Sequence, residues 1–200
     1  VGIRLYFYLA PPEGLSVLIL EHIELFVVWF EDLRLEYPDE FPADILLLAK
    51  QIEHHGVLAL QAQTIQQAAL VDNFVMYFCI DFDNSYRILK SASESWVKSY
   101  HYIECRPWLE VHCSPAFETL WIFMLEGRGI ERDSQLLPFA HEPHERGSIA
   151  YWTSQECVEM LNELRPLTIP EVEPTFCVQI VREALQNAVD QQASIVILVN

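Results

Sequence analysis

Only three of the 200 residues are lysine (Lys50, Lys90 and Lys98), and only six are glycine. With so few lysines and scattered arginines no basic patch forms, and 29 Asp and Glu against 12 Lys and Arg leave a formal charge of −17 at pH 7. A surface of that sign repels phosphate and lacks the counterion release that dominates nucleic-acid binding, so nucleic acid is a poor partner. The scarcity of glycine argues against a backbone cradle for phosphate. No GxGxxG, GxxxxGK[ST] or GxSxG motif occurs. Cys79, Cys105, Cys113, Cys157 and Cys177 form an odd set without CxxC spacing. Reduced thiols in a cytoplasmic chain are therefore the expectation. The most apolar stretch, from Leu15 to Leu35, is interrupted by Glu21, His22, Glu24, Glu31, Asp32 and Arg34, so it is not read as a bilayer span. No basic leader of a secretory signal stands at the start.

What is present is a globular composition, 52% hydrophobic and 20% charged. A chain of this size buries roughly 70% of its unfolded surface and needs no staples. No repeat and no linker divides it, so one domain spanning residues 1–200 is expected.

Ile3–Leu9, rich in Ile, Leu, Tyr and Phe and stopped by Pro11-Pro12, reads as a short buried strand. The next segment reads as a helix, although Leu25–Phe30 alone fits a buried strand equally well. Pro42 suits a helix start, and Ile45, Leu48, Ala49 and Ile52 then keep i, i+3, i+4, i+7 spacing up to Gly56. From Gln63 to Phe82 the chain turns from polar to apolar, predicting a helix that enters the core and ends in a turn at Asp81–Ser85. Tyr86–Tyr102 is a further candidate helix.

Ser114-Pro115 opens a helix, with Ser as cap and Pro at the first position, and Phe117, Leu120, Trp121 and Met124 follow at helical spacing. Gly127 and Gly129 release it into a polar connection over Glu131–Gly147. Ile149–Trp152 then leads into Thr153-Ser154-Gln155-Glu156, a capping box. The helix behind it carries Cys157, Met160, Leu161 and Leu164 on one face, with Glu159, Asn162 and Glu163 toward water, and ends at Pro166. A second helix, Thr175 to Gln191, buries Cys177, Val181, Ala184, Leu185, Ala188 and Val189. Ser194–Val199 is β-branched and too apolar to stay unpaired. Together these predict an α+β fold: a small mixed or antiparallel sheet that includes the N- and C-terminal strands, covered by several helices.

The Ser-Pro-initiated aromatic helix ending at Gly127, the strand into Tyr151-Trp152-Thr153-Ser154-Gln155-Glu156, and the final helix and strand resemble the YfbM-like family of uncharacterised bacterial proteins. The opening Tyr6–Leu9 followed by Pro11-Pro12-Glu13 is similar too. The likeness covers the last 90 residues or so and the first 20 or so; Phe117 stands where the pattern has Trp, and Gly127 comes a residue late. The resemblance implies a single α+β domain in a bacterial cytosol. The family has no assigned activity, so no catalytic residue carries over.

Two groups have metal-ligand chemistry. His141 and His144, within His141-Glu142-Pro143-His144-Glu145, could share an ion with a third ligand from elsewhere, although HExxH is absent and Pro143 opposes a helical face. His101, Cys105, His112 and Cys113 have the right atoms without the paired spacing of a zinc knuckle. Asp81-Phe82-Asp83-Asn84-Ser85 begins like a calcium loop, but Tyr86 and Ala92 replace its essential Gly and Glu. Tyr100, His101, Tyr102 and Trp108 are the candidates for an aromatic pocket or partner surface. No cofactor is indicated. The functional expectation is a non-catalytic acidic domain that binds, and thereby neutralises, a basic protein. The alternative is a small hydrolase or metal-binding enzyme using the His141/His144 loop.

Overall fold

The computed structural model describes residues 4–61, 64–93, 98–126 and 149–199. Strand β1 (Leu5–Ala10) precedes α1 (Leu15–Glu36) and α2 (Ala43–His55); a 3-10 turn, Gly56–Leu60, then leads toward α3 (Ile65–Met76). A π-helical segment, Tyr77–Phe82, carries α3 into α4 (Asp83–Tyr86), which is followed by the two-residue β2 (Lys90–Ser91). Helices α5 (Ser99–Glu104), α6 (Arg106–His112) and α7 (Pro115–Glu126) come next. The chain closes with β3 (Ile149–Trp152), α8 (Ser154–Leu164), α9 (Phe176–Asp190) and β4 (Ser194–Val199).

The four strands form one antiparallel sheet in the order β2-β1-β4-β3. β4 is its hub. It pairs with β1 from Leu5↔Val199 to Ala10↔Ser194, and with β3 from Ile149↔Leu198 to Trp152↔Ile195. Side chains alternate between the two faces of a strand, and helices cover both faces here. On one face Leu5, Phe7, Leu9, Ala150, Trp152, Ile195 and Ile197 join the core under α5 to α9. On the other, Ala10, Ile149, Tyr151, Val196 and Leu198 join the core of α1, α2, α3 and the π segment. That two-sided burial explains why Ser194–Val199 has no polar alternation: Ser194, Ile195, Val196, Ile197 and Leu198 are all buried. The expected α+β architecture with both terminal strands in the sheet is what the structure shows.

Several helix boundaries carry recognisable capping chemistry. In α2 the buried residues are Ile45, Leu48, Ala49 and Ile52, and Gly56 takes φ 64° just past its end, a left-handed geometry that glycine adopts without strain. Thr153 accepts from the Glu156 amide while the Glu156 carboxylate accepts from the Thr153 amide, completing the capping box of α8. Leu25–Phe30 is helical within α1. No helix among the described residues is long and apolar enough to cross a membrane.

Two expectations are corrected. Asp81–Ser85 is not a turn: Asp81 and Phe82 close the π-helical segment, and α4 runs on to Tyr86 before Arg87 turns left-handed at φ 52°. Phe74, Phe78, Phe82 and Tyr86, each four residues apart, form a row of rings with centroids 6.1, 5.3 and 4.6 Å apart in sequence. Nor is Tyr86–Tyr102 one helix, because Lys90 and Ser91 pair with Leu9 and Tyr8 and α5 begins only at Ser99.

Candidate functional site

Helix α5 is barely more than one turn long, so its side chains divide sharply between solvent and core. Tyr100 is 45% exposed, His101 only 8%, and Tyr102 wholly buried. The backbone of this turn is fastened from three sides. The His101 carbonyl accepts from the Cys105 amide at 3.0 Å and from the Cys177 thiol at 3.4 Å. The Tyr102 carbonyl accepts from the Trp121 indole at 2.9 Å and from the Cys105 thiol at 3.4 Å. The helix holding the site is therefore set by α7 and α9 more than by its own weak propensity.

Opposite it lies the proline-punctuated segment between α8 and α9. The buried Thr175 hydroxyl lies 2.7 Å from the Pro170 carbonyl and 2.9 Å from that of Val172, and its proton serves both acceptors. That closure turns Glu171, Val172 and Glu173 outward, all three exposed. Together with His101 and Phe176 they line a depression of about 240 Å³. Tyr100 packs its ring 4.0 Å from that of His101 and carries Lys98 Nζ 6.0 Å above its own face. Glu104 Oε2 stands 3.6 Å from His101 Nδ1, which has no hydrogen-bond partner among the described residues. Phe176, 48% exposed, also walls a broader groove of about 630 Å³ along α9 that includes Arg165, Arg182 and Glu183.

The four aromatic candidates are only partly united. Tyr100 and His101 adjoin each other at the depression. Tyr102 lies in the core against Phe7 and Trp121, its hydroxyl buried without a hydrogen-bond partner among the described residues and its pKa raised by burial, then by Cys177 and Cys105. Trp108 is half-buried and stacks on His112 at 4.4 Å. His141 and His144, with the rest of the Glu131–Gly147 connection, lie outside the described residues. The sequence reading missed Glu171, Val172, Glu173 and Phe176, whose only signal was their place between two well-marked helices.

Covalent chemistry has little support among the thiols. Burial pushes Cys113 up to about 12, with Glu163 and then Cys105 adding to it. Burial and Glu156 likewise raise Cys157 to about 12. Cys79 is raised by burial and Asp83, and Cys177 first by its hydrogen bond with Cys105 and then by burial. A thiol held protonated is a poor nucleophile and a poor metal ligand. The His112 Nδ1–H donates to the Trp108 carbonyl at 2.7 Å. Among the described residues no three His, Cys, Asp or Glu side chains are grouped to hold a metal. Compared with known proteins, the chain matches no family model, no curated protein and no solved structure.

Proposed function

We propose that this chain is a non-catalytic binding domain that receives a basic protein segment on the face formed by α5, the 171–175 loop and the start of α9, and so neutralises its charge. The observation that carries this reading is the His101–Phe176 depression, which exposed Val172 and Phe176 line together with Glu171 and Glu173. Exposed apolar side chains beside carboxylates suit a cationic partner that also carries apolar groups. The overall charge of −17 supports it by steering such a partner over long range. Five cysteines without a disulfide support a reducing, cytoplasmic setting.

The test is fluorescence anisotropy of the full chain with peptides that pair Arg or Lys with apolar residues, alongside versions in which the basic residues become Gln. Basic peptides are expected to bind, to weaken as salt rises from about 0.05 to about 0.3 M, where screening shortens sharply, and to lose affinity with Phe176→Ala. Equal binding of the Gln versions, or binding insensitive to salt, would overturn the reading.

A further inference from the structure

We infer that the depression between α5 and α9 is a socket for one arginine side chain of the partner, an assignment that rests on the binding reading above and specifies its occupant. A volume of about 240 Å³ suits a guanidinium with its last methylenes; it falls below the range of about 300–1,000 Å³ typical of small-molecule sites. The walls are complementary to a planar cation. Glu171 and Glu173 supply carboxylates, which accept the forked N–H groups of a guanidinium two at a time. Phe176 supplies a half-exposed aromatic face on which a guanidinium, weakly hydrated and flat, stacks better than an ammonium.

His101 is the independent pointer to a ligand. Its side chain is nine-tenths buried and lines the depression, and its Nδ1 has no hydrogen-bond partner among the described residues. Buried polar side chains are normally satisfied, and a neutral imidazole keeps one acceptor nitrogen that an arginine donor can fill. The charge facing it on its own helix is Glu104, whose Oε2 stands 3.6 Å from Nδ1. Lys98 lies over Tyr100, and Arg165 and Arg182 line the neighbouring groove on the other side of Phe176.

The probe is N-acetyl-arginine amide, titrated into the isotope-labelled full chain while the NMR signals of His101 and Phe176 are followed. N-acetyl-citrulline amide, equal in shape but uncharged, and N-acetyl-lysine amide are the comparisons. Saturable shifts at both residues are expected with the arginine probe, with affinity at least about ten-fold weaker for citrulline and measurably weaker for lysine. The double variant Glu171→Gln/Glu173→Gln, altered only at exposed loop positions, should keep the thermal midpoint and lose about ten-fold in arginine affinity. Citrulline or lysine binding as well as arginine, shifts confined to other regions, or undiminished binding by the double variant would each overturn the socket. Salt-dependent binding of basic peptides without these shifts would remove the socket and leave the binding face standing; failure of both titrations would remove both.

Discussion

Glu163 grips Ser114 with both carboxylate oxygens, Oε2 accepting from the Ser114 amide and Oε1 from the Ser114 hydroxyl, each at 2.7 Å. Ser114 in turn accepts from the Phe117 amide at 3.2 Å, so a residue of α8 secures the cap of α7. The sequence pattern put Glu163 toward water, but the tie between the two helices makes it structural. Glu163→Ala leaves an amide and a hydroxyl without their charged acceptor and should cost about 1–2 kcal/mol in urea unfolding. The neighbouring exposed Asn162→Ala should stay within about 0.5 kcal/mol.

Phe26 is the centre of the aromatic cluster on the α1 side of the sheet. Its ring meets those of Trp29, Phe30, Phe74, Phe78 and Phe82 at 5.1 to 5.7 Å, and it is wholly buried. Phe26→Ala removes the ring that three helical segments share, leaving a cavity lined by other rings. A loss of about 3–5 kcal/mol is expected, read from the shift of the denaturation midpoint at constant slope.

Asp81 gives a pH signature. Partial burial in the π-helical segment raises its carboxyl above the usual 3.8. A carboxyl with a raised folded pKa favours the fold while protonated, and that advantage fades as pH climbs from the unfolded value through the folded one. Asp81→Asn keeps the shape and removes the ionisation. The variant should melt above the parent at pH 7 and level with it near pH 3; a variant that melts lower at pH 7 would contradict the burial effect.

The thiols should be silent in the native state. With Cys113 and Cys157 at about 12, the thiolate fraction at pH 8 is about one in ten thousand. Iodoacetamide at pH 8 should leave the folded chain unlabelled on the timescale that alkylates a small-molecule thiol fully, and should modify all five cysteines in denaturant. Mass spectrometry reads the difference, and rapid native labelling of Cys113 would show that its environment is wetter than described.

Much of the architecture was visible in short-range chemistry. The Thr153–Glu156 box, the Ser114-Pro115 opening and the stripe of α2 each satisfy backbone groups or a 3.6-residue period within a few positions, so pattern alone locates them. The π-helical segment was hidden because Tyr77–Phe82, apolar but for Asp81, is too short to carry a usable period. β2 was hidden for the opposite reason: Lys90 and Ser91 are exposed and polar, and only pairing with Tyr8 and Leu9 makes them a strand. At the site, His101 stood out as a ligand-type residue, whereas its companions Glu171, Glu173 and Phe176 arrive from some 70 positions away. Tyr102 looked like a surface aromatic until the one-turn helix placed it on the core side.

The central place of β4 has a temporal consequence. Until residues 194–199 have left the ribosome, β1 lacks its partner on one side and β3 lacks the one strand it pairs with among the described residues. Both helical layers then hold their greasy faces over an unfinished platform, the kind of intermediate that sticks to its neighbours or to chaperones. Closing ladders between positions as distant as Ala10 and Ser194 also makes the last step of assembly slow. Removing the strand's few residues should therefore leave an aggregating chain, far out of proportion to the length lost.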